Sequence, residues 1–222
     1  MLINCIRAIK DTRWLHDAFR RGVLWLLFLG PFFFLTYAPA NRYAARVDAA
    51  SGVGSLAFDW ERSIPLLPWT IIPYCSINLF YGPAFLCCRN KSSTNRLGLR
   101  LLSAQVICVA CFFLWPFRFA YDRPPVEGVL GVLFDILTKY DLPYNQAPSL
   151  HIAVLFIIWQ KFATFTTLRT VRGAIHAWAL MIGLSVFTTW QHHFIDALAG
   201  LAVGIFCLRL WPEPAEIVST GK

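Results

Sequence analysis

Apolar residues in this chain gather in six long runs separated by short polar breaks. The runs cover residues 23–38, 66–88, 101–117, 149–162, 174–190 and 194–211. None of them alternates apolar and polar with a period of two, the pattern of a half-buried strand. Their lengths approach the ~20 residues that a helix needs to cross a bilayer. Inside lipid, only a helix or a closed barrel satisfies every backbone N–H and C=O. The pattern therefore predicts an all-α, polytopic membrane protein with six transmembrane helices. Runs four to six are short for a crossing, so those helices are expected to extend into their flanks.

The breaks are unequal. Residues 41–64 and 118–148 form two longer connections, and residues 191–193 form a tight turn. Ser51-Gly52-Val53-Gly54-Ser55 is a flexible patch. Residues 56–60 and 129–137 fit short helices lying on a membrane surface, with Trp60 and Tyr140 as interface anchors. Residues 212–222 read as a disordered tail. No internal repeat or second domain interrupts the pattern, so residues 1–222 are taken as one domain.

Composition agrees with lipid as the solvent: 57% of residues are hydrophobic, 14% are charged, and mean hydropathy is +0.55. A soluble domain carries about 25% charged residues. The formal charge of +8 does not point to nucleic acid, because the basic residues recur in clusters between apolar runs. Those clusters set topology instead. The N-terminal segment, the breaks after runs two and four, and the C-terminal end together hold fourteen Lys and Arg. The other side has six: Arg42, Arg46, Arg62, Arg118, Arg123 and Lys139. The positive-inside rule places the first group, and both termini, in the cytoplasm. The basic first twenty-two residues argue against a cleavable signal peptide, and the run that follows is expected to remain as a span. Of seven cysteines, Cys108 and Cys111 make a lone C-x2-C inside an apolar run, without further ligands, and are assigned to packing.

Three polar pieces fall on the outer side. Asp196 follows His192 by four residues at the start of run six, which would place both on one helix face. A carboxylate bonded to one ring nitrogen fixes the imidazole tautomer and leaves the other nitrogen reactive. His193, three before Asp196, is also within reach, and Asp196 would equally suit the positive end of a helix. Pro148-Ser149-Leu150-His151 opens run four: Ser149 is a natural helix cap, and exposed N–H groups at that end attract phosphate. His151 would then be placed to donate a proton. Arg123-Pro124-Pro125 supplies a guanidinium, the usual side chain for gripping phosphate oxygens in pairs.

In this order the pieces resemble the type 2 phosphatidic acid phosphatase superfamily, whose motifs are K-x6-R-P, P-S-G-H and S-R-x5-H-x3-D. The chain matches at Arg123-Pro124, at Pro148-Ser149 and His151 with Leu150 for glycine, and at Ser185, His192 and Asp196. The H-x3-D spacing selects His192 over His193. The resemblance spans residues 116–200, and the six-span layout matches the family's membrane branch, near inositol-phosphoceramide-synthase-like transferases and bacterial inner-membrane phosphatases. Two family cations are absent: the lysine position falls on Pro116 and the arginine position on Val186, with Arg118 the nearest replacement for the first.

The resemblance implies a hydrolase of membrane lipid phosphates on the periplasmic face of a bacterial inner membrane. His192 would attack phosphorus to give a phosphohistidine, Asp196 would orient it, and His151 would protonate the leaving alkoxide. Arg123, Ser149 and Arg118 would hold the phosphate, with no metal or organic cofactor. Three other readings compete: a transferase of the same fold, an inactive membrane protein that kept the fold, and a metal site built from His151, His192, His193 and Asp196.

Overall fold

The computed structural model describes residues 2–213, with side chains from residue 16 onward. The chain is 76% helix, with no strand among the described residues. Among the described residues seven α-helices follow in order: α1 (Leu2–Ser51), α2 (Ile71–Tyr81), α3 (Lys91–Leu114), α4 (Gly128–Tyr140), α5 (Leu150–Phe165), α6 (Arg169–Thr188) and α7 (Phe194–Leu210). Short 3-10 turns at Asp59–Ser63, Pro68–Thr70 and Pro83–Cys87 fill the connections.

Every apolar run becomes helical, but the lengths differ from the six full crossings expected. Among the described residues three helices are long and apolar enough to span a membrane: His16–Ser51 within α1, then α3 and α6. The 16-residue α5 rises only about 24 Å, short of the ~30 Å hydrocarbon core. Run two is broken because Pro68 and Pro83 each open a 3-10 turn, and Pro73 is tolerated only in the first turn of α2, where its missing N–H costs nothing. In the opposite sense, α1 runs past Ala38 through Pro39 to Ser51, absorbing half of the expected first outer connection. Arg42, Arg46 and Asp48 made that stretch look like a loop, yet polar residues suit a helix that projects beyond lipid. The helix expected at 129–137 appears as α4, whereas residues 56–58 are not helical and a 3-10 turn falls at Asp59–Ser63 instead. Val129, Val132, Ile136 and Tyr140 form an exposed apolar stripe on α4, and Trp60 is exposed too. Most of the expected tail, residues 214–222, lies outside the described residues, as do the side chains of Arg7, Lys10 and Arg13.

The helices pack α1 on α3, α5 on α7, α3 on α7 and α2 on α6. Leu29, Ile71, Leu97, Leu101, Phe112, Ile157 and Val186 fill the interior. Small residues set the closest approaches. A Cβ on Gly98 would meet the Trp25 ring of α1 at 2.2 Å, and one on Gly200 would meet the Ser149 carbonyl oxygen at 2.3 Å. Gly204 completes a Gly-x3-Gly pair on the α7 face that lies against α5. Leu27, Phe34, Leu35, Leu79, Leu114 and Leu184 point outward, a belt that fits a lipid surround.

The bundle is polarised. Near the end of α5, buried Lys161 meets buried Arg100 of α3 across Glu213, each cation lying 3.1 Å from the same carboxylate oxygen. The polar pieces singled out by sequence lie at the other end, since His151 precedes Lys161 by ten residues, about 15 Å of helix.

Candidate active site

His192 sits in the turn between α6 and α7, not on a helix face as its spacing from Asp196 suggested. α6 stops at Thr188, and Trp190 takes φ +55°, an outlying conformation for a bulky residue. The amides of Gln191 and His192 both donate to the Val186 carbonyl, at 3.0 and 3.1 Å. Asp196 closes the start of α7: its Oδ2 accepts from the His193 backbone N–H at 2.8 Å. That oxygen lies 3.8 Å from His192 Nδ1, beyond a hydrogen bond, so the tautomer-fixing contact expected from the spacing is not made in this state.

His193 is fully engaged. Its Nε2 accepts from the Ala120 amide at 3.0 Å, so that nitrogen carries no proton. Its Nδ1 therefore donates to Glu61 Oε2, at 2.8 Å. Phe119 stacks on the ring at a centroid distance of 4.2 Å. Glu61 is itself buried and also accepts from the amides of Phe58 and Phe194. With both nitrogens occupied, His193 is a structural clamp between the connection from α1 to α2 and the start of α7. It cannot attack phosphorus or bind a metal without breaking these bonds. Among the described residues no three His, Cys, Asp or Glu side chains converge as metal ligands.

Ser149 caps α5 as expected, its Oγ accepting from Ile152 N at 3.3 Å. Its own amide donates to the Asp196 carbonyl at 2.9 Å, which pins the start of α5 to the first turn of α7. Close by in the first turn of α5, His151 stacks on Tyr74 of α2 at 4.3 Å.

Arg123 anchors beside the same turn. Its guanidinium donates to the carbonyls of Thr189 (3.1 Å) and Trp190 (3.3 Å) and lies 4.9 Å over Phe134. Burial holds its pKa below the usual arginine value. A cavity of about 300 Å³ opens here, lined by Arg118, Arg123, Asp141, Trp190 and Gln191 among others. Arg118 reaches Asp48 at 3.5 Å. Asp141, at the end of α4, accepts from Tyr37 Oη at 2.9 Å and from Asn41 Nδ2 at 3.5 Å. Desolvation pushes its carboxyl up to about 6, against the opposing pull of the Tyr37 hydrogen bond and of the His192 and Arg123 charges. Ser149, His151, His192 and Asp196 are not part of its lining.

Six buried side-chain atoms lack a hydrogen-bond partner among the described residues. Five belong to this end of the bundle: Asn145 Oδ1, Gln146 Oε1, His151 Nε2, His192 Nδ1 and Asp196 Oδ1. Native proteins rarely leave such groups unpaired, so their concentration marks a place built to receive a polar ligand. Sequence reading missed Glu61, Asp141 and Tyr37. Glu61 stands 132 positions from His193, and nothing local distinguishes it from a solvated loop carboxylate.

No protein-family model, curated protein or solved structure matches the chain.

Proposed function

We propose that this protein is a membrane-embedded phosphoesterase of the type 2 phosphatidic acid phosphatase kind, acting on lipid phosphate esters through a phosphohistidine on His192. The observation that carries the reading is that His151 and His192, on segments joined by the Ser149–Asp196 backbone bond, each bury an unpartnered ring nitrogen at one end of the bundle beside Arg123. His192 attacks phosphorus. His151 protonates the departing alkoxide and then takes a proton from the incoming water, so one hard displacement becomes two easier ones. Arg123 grips phosphate oxygens, with Ser149 and Arg118 in support. Asp196 stabilises the imidazolium that forms and closes its 3.8 Å gap to His192 when substrate arrives. The two family positions themselves hold no cation: Pro116 has no charge, and Val186 is buried, its carbonyl holding the His192 turn. Since positioned charge stabilises phosphoryl transfer, turnover is expected to be modest.

On this reading six segments lie in the bilayer, both termini face the cytoplasm, and the site faces the periplasm of a bacterial inner membrane. The shorter α5 packs on α3, α6 and α7, while α7 turns Phe194, Leu198, Phe206 and Leu210 outward. The burial of His192, 7% exposed, favours a second reading in which restricted water lets another alcohol take the phosphoryl or phospho-alcohol group. Product analysis with and without an acceptor lipid separates the two. The decisive experiment incubates purified protein with labelled lipid phosphate and traps the enzyme. Acid-labile, base-stable label on His192, absent from His192→Ala, is expected; turnover persisting in that variant would refute the mechanism.

A further inference from the structure

The cavity beside His192 does not have the charge of a site for a phosphate monoester dianion. Two cations line it, Arg118 and Arg123, against three carboxylates, Asp122, Asp135 and Asp141. One negative charge is in excess when all five are ionised, and Arg118 already faces Asp48 at 3.5 Å. The three carboxylates make no ion pair with either arginine among the described residues. The cavity therefore keeps separate poles of opposite sign.

We propose that it receives a zwitterionic head group, a phosphodiester of an amino alcohol, with the phosphate toward Arg123 and the ammonium toward Asp141. This names the substrate class of the proposed phosphoesterase and rests on that reading. The surroundings of Asp141 suit it to hold a cation: Tyr37 and Asn41 fix Oδ1, while Oδ2 makes no hydrogen bond among the described residues. Phe119, Tyr121 and Trp190 add aromatic surface to the same lining, and such faces attract ammonium groups. About 300 Å³ accommodates a head group but not acyl chains, which stay in the bilayer.

Protonation distinguishes this arrangement from a plain anion site. The titratable or charged groups that act on Asp141 are Tyr37 of α1, Arg123 and His192, together with Tyr74 of α2, and Asn41 bonds it. Asp141 gains its charge as pH rises through about 6. Its grip on an ammonium should then strengthen, whereas a neighbouring phosphate alone should be held less well.

The test is calorimetric binding of two soluble diesters to the full-length protein in detergent. Glycerophosphoethanolamine carries the ammonium; glycerophosphoglycerol has the same phosphate without it, and neither changes charge between pH 5 and 7.5. Preference for the amine ester of about tenfold at pH 7.5 is expected, shrinking at pH 5. Asp141→Asn should abolish the preference, and Arg123→Ala should weaken both ligands. Equal binding, preference for the glycerol ester, a preference that survives Asp141→Asn, or no binding of either ligand would overturn the proposal. Should the variant fail to fold, the wild-type pH dependence decides instead: a preference unchanged between pH 5 and 7.5 would overturn it. Lipid turnover is a separate readout: binding preference without any turnover leaves the head-group assignment standing and sinks the phosphoesterase, and turnover without preference does the reverse.

Discussion

Both ring nitrogens of His193 are occupied, by Glu61 and by the Ala120 amide, while Nδ1 of His192 is unpartnered. Adjacent residues of one type thus take opposite roles, and substitution should separate them. His192→Ala is expected to lower kcat/KM toward lipid phosphates by on the order of a thousandfold or more, with little change in thermal unfolding. Glu61→Ala strands three donors, the buried His193 Nδ1 among them, and should instead cost roughly 1–3 kcal/mol of stability, read as a lower unfolding temperature in detergent. If His193→Ala impairs turnover as severely as His192→Ala without unfolding the protein, the nucleophile has been misassigned. Asp141 makes a further residue-level prediction. Its folded pKa, about 6, lies above the unfolded 3.8, so the folded state binds the proton more tightly. Its contribution to stability is then largest at low pH, falls as pH climbs from about 4 to about 6, and is level above. Asp141→Asn should remove that slope, seen as a difference between wild-type and variant unfolding temperatures across the range.

At the level of elements, the start of α5 and the first turn of α7 are fastened together by the Ser149 amide and the Asp196 carbonyl, over a glycine with no room for a side chain. Gly200→Ala would force a methyl into the Ser149 carbonyl and push His151 away from His192. The expected result is a loss of about 1–3 kcal/mol of stability and up to a hundredfold in turnover, with Gly204→Ala, where the nearest atom is 3.1 Å away, milder on both measures. This junction shows what the sequence made legible. The cap at Ser149 and the turn at residues 191–193 were readable, because capping chemistry and chain reversal are local. The helical state of the apolar runs was readable from their length and lack of alternation. The extension of α1 to Ser51 was not, because polar composition alone does not distinguish a projecting helix from a loop. Nor was the His192–Asp196 geometry: a four-residue spacing implies a shared face only if both residues are helical, and His193 caps α7 instead. Glu61 and Asp141 were invisible because their partners are more than a hundred residues away.

On the scale of the whole molecule, the two ends carry different chemistry. At one end lie the unpaired imidazoles and the cavity; at the other, Arg100 and Lys161 share one oxygen of Glu213, whose side chain is 34% exposed. Glu213→Ala leaves two cations, each 9% exposed or less, without their carboxylate. It should destabilise the fold by roughly 1–3 kcal/mol, less than the ~3–5 typical of a fully buried pair because Glu213 is partly solvated. The same polarity allows a topology test. Single cysteines at Ser55 and at Thr167, in an otherwise cysteine-free protein, should react with an impermeant maleimide from opposite sides of sealed vesicles. Labelling of both from one side would remove the proposed six-segment arrangement.

The clamp between Glu61 and His193 bears on biogenesis. A ribosome that has synthesised the chain only to residue 190 has delivered Arg123 and His151, but neither the imidazole proposed to react nor the one that fastens the connection between α1 and α2. On the proposed mechanism, unfinished chains are inert, and competence arrives in one step when the last hairpin enters the membrane.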